Sequence, residues 1–139
     1  MKKHYFVSIV AILCFAFIHA YTAQGQITKE GIKIRLFTKN DKGKSGEYKI
    51  DNTTSKIYLC YGTYDLFDRI EISGKNATIS VVIRDGSGDV IYMNKGYNLG
   101  TKATFKPFEG HDVLEEGTIT ILKDDKEIVH IEFEKLSCT

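Results

Sequence analysis

The sequence predicts an all-β domain, an antiparallel two-layer sandwich of about seven or eight short strands, with a small closed β-barrel as the alternative. Three observations predict it. Apolar residues recur at a period of two in run after run beyond residue 30. Tight-turn signals separate those runs, and no segment carries an apolar stripe at helical spacing over ten residues, so crossover helices that would force parallel strands are missing from the pattern.

The N-terminal segment stands apart from this pattern. Lys2 and Lys3 precede an apolar run over residues 5–18, and the segment ends in the small-residue tripeptide Ala23-Gln24-Gly25. That is the layout of a signal peptide over residues 1–25, which places a single sandwich domain at residues 26–139 in a secreted or periplasmic setting. The run is shorter than the ~20 apolar residues that cross a bilayer, so no stable membrane anchor is expected after cleavage. Cys14 lies inside the apolar run behind Ala11-Ile12-Leu13, without the small residue that precedes a lipidated cysteine. The remaining stretch of about 114 residues is enough for one ordinary core and too little for two.

The first strand is read from Ile32, Ile34 and Leu36, alternating with Lys33, Arg35 and Phe37. Residues 38–46, with Asn40-Asp41-Lys42-Gly43 at their centre, read as a solvated polar loop. Ile57, Leu59 and Tyr61 against Tyr58 and Cys60 give the next strand, and residues 69–73 a shorter one. Ile79, Val81 and Ile83 alternate with Thr78, Ser80 and Val82; Val90 and Tyr92 alternate with Ile91 and Met93. The Asp85-Gly86-Ser87-Gly88 turn joins these two runs so directly that residues 78–94 are expected to form a hairpin. Residues 95–102 read as a glycine-containing loop bearing Tyr97 and Leu99. Ala103 and Phe105, then Ile119 and Ile121, then Val129, Ile131 and Phe133 complete the set, with Asp124-Asp125-Lys126 turning between the last two.

Charge narrows the function classes. The chain has 19 Lys and Arg against 18 Asp and Glu; without Lys2 and Lys3 it has 17 against 18, a net charge of −1. No basic face is available to track a phosphate backbone, which excludes nucleic acid as an expected partner. Loss of Cys14 with the leader leaves Cys60 and Cys138, a candidate disulfide that would close a loop of about 79 residues and stabilise the fold by about 4 kcal/mol on the chain-entropy scale. Two unpaired thiols are the alternative, because spacing alone does not bring the two Cα atoms together.

Signs of catalysis are sparse, and no catalytic, cofactor-binding or metal-ligating residues are assigned. His111 lies in Glu109-Gly110-His111-Asp112 with no second histidine at ligand spacing, and reads as part of a solvated loop. His130 falls between Val129 and Ile131 and is expected on the face opposite the core. Asp85-Gly86-Ser87-Gly88-Asp89 has the look of a calcium loop but lacks the helix flanks and distal glutamate of an EF-hand. The adjacent carboxylates Glu115-Glu116 and Asp124-Asp125 point to opposite faces of a strand or turn, unlike an acid and base held together.

The run from Ile79-Ser80-Val81-Val82-Ile83 through Asp85-Gly86-Ser87-Gly88 and Val90-Ile91-Tyr92 to Gly117-Thr118-Ile119 and Ile131-Glu132-Phe133 resembles the small secreted immunoglobulin-like proteins of the Bacteroidetes grouped as DUF3244. Thr118 stands where that pattern has a tyrosine after the glycine. The resemblance implies an immunoglobulin-like sandwich in a Gram-negative envelope and carries over no catalytic residues.

The function expected from these readings is a non-catalytic secreted binding module that engages an envelope protein or glycan, with Tyr58, Tyr64, Tyr92 and Tyr97 as the candidate contact surface. The alternative is an assembly subunit that pairs through an edge strand. The oligomeric state is left open by the sequence.

Overall fold

Among the described residues ten strands form, in two five-stranded sheets packed face to face as an open sandwich; the sheets do not close into a barrel. The computed structural model describes residues 25–40, 42–60, 66–109 and 115–137. Residues 1–24, where a signal peptide is expected, and Tyr64, His111 and Cys138 lie outside the described residues.

The first sheet holds β1 (Ile27–Lys29), β2 (Ile32–Lys39), β3 (Ser45–Tyr48), β5 (Leu66–Ser73) and β8 (Lys102–Phe105). Strands β1 and β3 share one side of β2, which is followed by β5 and then β8. The second sheet runs β4 (Lys56–Cys60), β10 (Lys126–Leu136), β9 (Glu116–Lys123), β6 (Ala77–Asp85) and β7 (Val90–Leu99). All pairings are antiparallel except β4 with β10, which are parallel and set Cys60 opposite Leu136. Parallel pairing needs a long connection, and here strands β5 to β9 lie between the two.

Alternation decides the core as the sequence predicts. Ile32, Ile34 and Leu36 of β2 and Ile70 and Ile72 of β5 face Ile79, Val81 and Ile83 of β6, Ile119 and Ile121 of β9 and Ile131 and Phe133 of β10, all buried in one cluster. At one end Phe133 meets Phe67 edge to face, with centroids 4.9 Å apart, and Phe67 stacks on Phe108 at 5.6 Å. Gly117 makes room for this cluster, since a Cβ there would collide with the Arg84 carbonyl oxygen and the Phe133 ring.

Several expectations change. The strand count is ten because β1 and β3 also form. Ile27 is buried, and a turn through Glu30 and Gly31, both at positive φ (49° and 76°), folds β1 back onto β2 in the primed geometry that suits hairpin twist. Strand β3 is Ser-Gly-Glu-Tyr with no apolar alternation and exists through its pairing with β2. The loop expected over residues 38–46 is accordingly shorter: Thr38 and Lys39 extend β2, Ser45 and Gly46 open β3, and the Asn40 side chain accepts the Lys42 and Lys44 amides between them. The loop expected over residues 95–102 is mostly strand. Gly96, at φ +72°, carries a bulge whose amide donates to Ser80 Oγ at 3.0 Å, and β7 runs on to buried Leu99.

The two lateral sides of the sandwich are treated differently. On one side the Tyr48 hydroxyl, from β3 of the first sheet, donates to the Tyr58 carbonyl at 3.0 Å and accepts the Tyr58 amide at 3.2 Å. One side chain thus uses both of its hydrogen-bonding roles to satisfy backbone groups on the outer edge of β4 and to tie the sheets together. Tyr48→Phe is expected to lower stability by about 1 kcal/mol and to speed hydrogen exchange at the Tyr58 amide while leaving core amides unchanged. Denaturant titration and amide exchange measure the two effects.

Candidate functional site

Six large apolar side chains are exposed among the described residues, and four of them, Val90, Ile91, Met93 and Tyr97, lie on β7. Strand β7 is ten residues long and pairs with β6 on one side, and among the described residues no strand pairs with its other side. Its backbone groups on that side have no ladder partner, which makes it an open template for strand addition. Two register shifts interrupt its pairing with β6, one beside Ile91 and one at Lys95 and Gly96, leaving Tyr92, Met93 and Asn94 as the regular middle. Met93, 54 % exposed, stands at the centre of the strand.

The structure separates the candidate tyrosines. Tyr58 is 45 % exposed on the outer face of β4, and Lys56 Nζ lies 5.5 Å from its ring centroid. Tyr97 is 41 % exposed on β7 and leans edge to face on Phe105 of the other sheet at 5.6 Å. Tyr92, also on β7, packs against the core, where burial pushes its phenol above the usual value. Strands β4 and β7 are the two ends of the second sheet, so four inter-strand steps, roughly 19 Å, lie between Tyr58 and the other pair. Tyr92 and Tyr97 therefore share a surface that Tyr58 does not join. The residues missed by sequence reasoning are Val90, Ile91 and Met93; the available signal was that Val90-Ile91-Tyr92-Met93 is apolar in both phases of the alternation.

A shallow polar groove of about 490 Å³ crosses the outer face of the second sheet, between the Asp85–Asp89 turn and β4, with Lys56, Arg84, Thr118, His130 and Glu132 among its lining residues. Its charges are largely committed. Lys56 pairs with Glu134 at 2.8 Å, and Arg84 donates to the Gly88 carbonyl at 2.9 Å. His130 is exposed, as the alternation predicts, with Nδ1 3.3 Å from Thr120 Oγ1. In the turn, Asp85 Oδ1 accepts the amides of Ser87 and Asp89 and the Ser87 hydroxyl, which closes the turn. The same bonds hold the Asp85 carboxyl below its usual range, the Ser87 hydroxyl contributing most. No group of three or more potential ligands gathers at a metal site among the described residues.

The outer face of the first sheet carries a connected charge network. Arg35 donates to both Glu47 oxygens, at 2.8 and 2.6 Å; Glu71 accepts from Arg69 at 3.0 Å and from Lys102 at 3.0 Å; and Arg69 also pairs with Asp68. The two guanidinium groups bracket Phe37, at 4.9 and 3.8 Å from its centroid. Phe37 was expected to share the outer face with Arg35 and does, but it is buried there beneath the arginines rather than exposed.

Cys60 is disulfide-bonded, with its partner outside the described residues. No protein-family model, curated protein or solved structure matches the chain.

Two expectations follow from these contacts. Peptide mapping without reductant is expected to link Cys60 to Cys138, and reduction to lower the melting temperature; recovery of a Cys60 peptide joined to Cys14 would contradict that pairing. The Arg35 hydrogen bonds hold the Glu47 carboxyl below its ordinary value of 4.5, with burial opposing and the Arg35 charge reinforcing. A carboxyl whose folded pKa is depressed contributes stability that is fully present above the unfolded value and is lost as pH falls through the folded one. Thermal melts from pH 6 downward are expected to lose stability below about pH 4.5, and the Glu47→Gln variant to lose less over that window.

Proposed function

We propose that this protein is a non-catalytic binding module of the cell envelope, exported to the periplasm or beyond, that engages its partner by strand addition at β7. The observation that carries the reading is the concentration of exposed Val90, Ile91, Met93 and Tyr97 on one long edge strand. Main-chain groups along an open edge supply affinity, and alternate side chains supply selectivity. Export is supported by the basic and apolar N-terminal segment and by the disulfide at Cys60, a bond that persists in oxidising compartments. The envelope setting accords with the resemblance to the secreted immunoglobulin-like proteins noted in the sequence. The groove around His130 is the weaker candidate surface, because Lys56 and Arg84 already have partners within the domain.

Site-specific photo-crosslinking in the cells that make the protein tests the reading. A photoreactive residue at Met93 is expected to give a discrete adduct, and the same group at Lys126 or in the groove at Thr118 to give none. Met93→Lys combined with a crosslinker at Tyr97 is expected to reduce the adduct at least about tenfold, the effect of placing a charge at the centre of an apolar contact. Adducts at Thr118 and none along β7 would transfer the site to the groove.

A further inference from the structure

We infer that Gln26 is a modification site: once the leader is removed behind Gly25, the new α-amine closes on its own side-chain amide to form a pyroglutamyl lactam, which keeps strand β1 docked and shields it from aminopeptidases. This goes beyond strand addition at β7 and rests only on the export reading.

The residues around the scissile bond set up the chemistry. Ala23 and Gly25 are the small residues three and one before it, and Gln26 follows it. In the precursor the Gln26 nitrogen is a peptide amide and unreactive. Cleavage turns it into an amine with an ordinary pKa of about 7.7–8.0, so a fraction is neutral and nucleophilic at neutral pH. The amine and the Gln26 side-chain carbonyl carbon belong to one residue and close a five-membered ring, so the attack has the rate advantage of an intramolecular pair. The α-nitrogen bonds to Cδ, the Cδ–Nε2 bond breaks, and a proton from the α-nitrogen leaves with Nε2 as ammonia. No oxidant, reductant or second substrate enters the balance.

The structure explains why the product suits this terminus. Gly25 and Gln26 are half-buried, and the next residue, Ile27, is buried and pairs with Ile34 of β2. A Cβ at Gly25 would lie 2.6 Å from Lys49 Cα and 3.1 Å from the nitrogen of buried Ile50, so the chain enters β1 directly against that backbone. An ammonium group at Gln26 is thereby drawn partly out of water beside two buried isoleucines, whereas a lactam offers an N–H and a carbonyl without charge. Strand β1 is three residues long, and Ile27 is its one core side chain. Trimming two residues from the mature terminus removes that side chain from the core, and a lactam leaves an aminopeptidase no free amine to engage.

The full chain is expressed in an exporting Gram-negative cell, and the intact mass of freshly recovered protein is taken before any digestion, so that ring closure on the bench does not contribute. The expected mass is that of residues 26–139 less one ammonia, allowing for the disulfide, and pyroglutamyl aminopeptidase is expected to release one residue from the N-terminal peptide. Gln26→Asn, one methylene too short for the five-membered ring, is expected to keep a free amine and to lose Ile27 to an added aminopeptidase that spares the unsubstituted protein. Its Thr28 amide, which donates to Asn52 Oδ1 at 2.7 Å, is expected to exchange faster. The mass of an open Gln26 overturns the lactam and leaves export standing. A lactam at Gln24 overturns the assignment to Gln26, and equal trimming and exchange in the two proteins overturn its protective role. A chain that still begins at Met1 overturns the export reading and the inference together.

Discussion

Burial of one branched, apolar face of each sheet against the other is the constraint on which the rest of this molecule depends. Among the described residues, thirteen of the 24 buried hydrophobic side chains are isoleucines, and each fully buried one contributes about 1.5–3 kcal/mol relative to exposure. Branching at Cβ suits this role, because a side chain already stiff at χ1 loses little rotational freedom on burial and packs well on a pleated surface. A shift of one residue in any central strand would turn its isoleucines to solvent, so the hydrophobic pattern also fixes the register. Where the backbone must come closer than a side chain allows, as under Phe133, the position is Gly117.

Two stacked sheets bury their faces but leave their edges, and the domain resolves its two lateral sides in opposite ways. On one side the Tyr48 hydroxyl occupies the outward amide and carbonyl of Tyr58, and the disulfide at Cys60 adds a covalent restraint at the end of the same strand. On the other, β7 presents ten residues with little covering them. Bulges at Ile91 and at Lys95-Gly96 shorten the regular stretch, a device that limits indiscriminate pairing without removing the edge. An edge narrowed but still apolar is the combination expected where one particular contact is to be made and extended aggregation avoided.

The outer faces are also unlike each other. Arginines 35 and 69 cover Phe37 and, with Lys102, are held by Glu47, Glu71 and Asp68, a connected network of three cations and three carboxylates on that face of the first sheet. Partly exposed ion pairs of this kind contribute modestly one by one, and their connection through shared carboxylates gives the surface its fixed geometry. The second sheet keeps a looser polar groove in which Glu132 and His130 face solvent.

The sequence by itself determined the fold class, the inward residues of six strands (β2, β4, β6, β8, β9 and β10), the Asp85 and Asp124 turns and the outward placing of Tyr58 and His130, because these follow from a side-chain period of two and from local turn chemistry; Val90, on the inward phase of its run, is exposed instead beside the bulge at Ile91. Strands β1 and β3 were hidden: Ile-Thr-Lys and Ser-Gly-Glu-Tyr carry too little alternation to register, and they form because β2 offers them a partner. The continuation of β7 through Gly96 was hidden for a related reason, since a glycine at positive φ marks a loop and a bulge alike until Ser80 is seen to hold its amide. Which tyrosines share a surface, and which strand is left at an open edge, were decided only by the tertiary structure. Strand order is set by long-range pairing, above all the parallel junction of β4 with β10 across five intervening strands, and no local pattern of residues encodes a neighbour that far away.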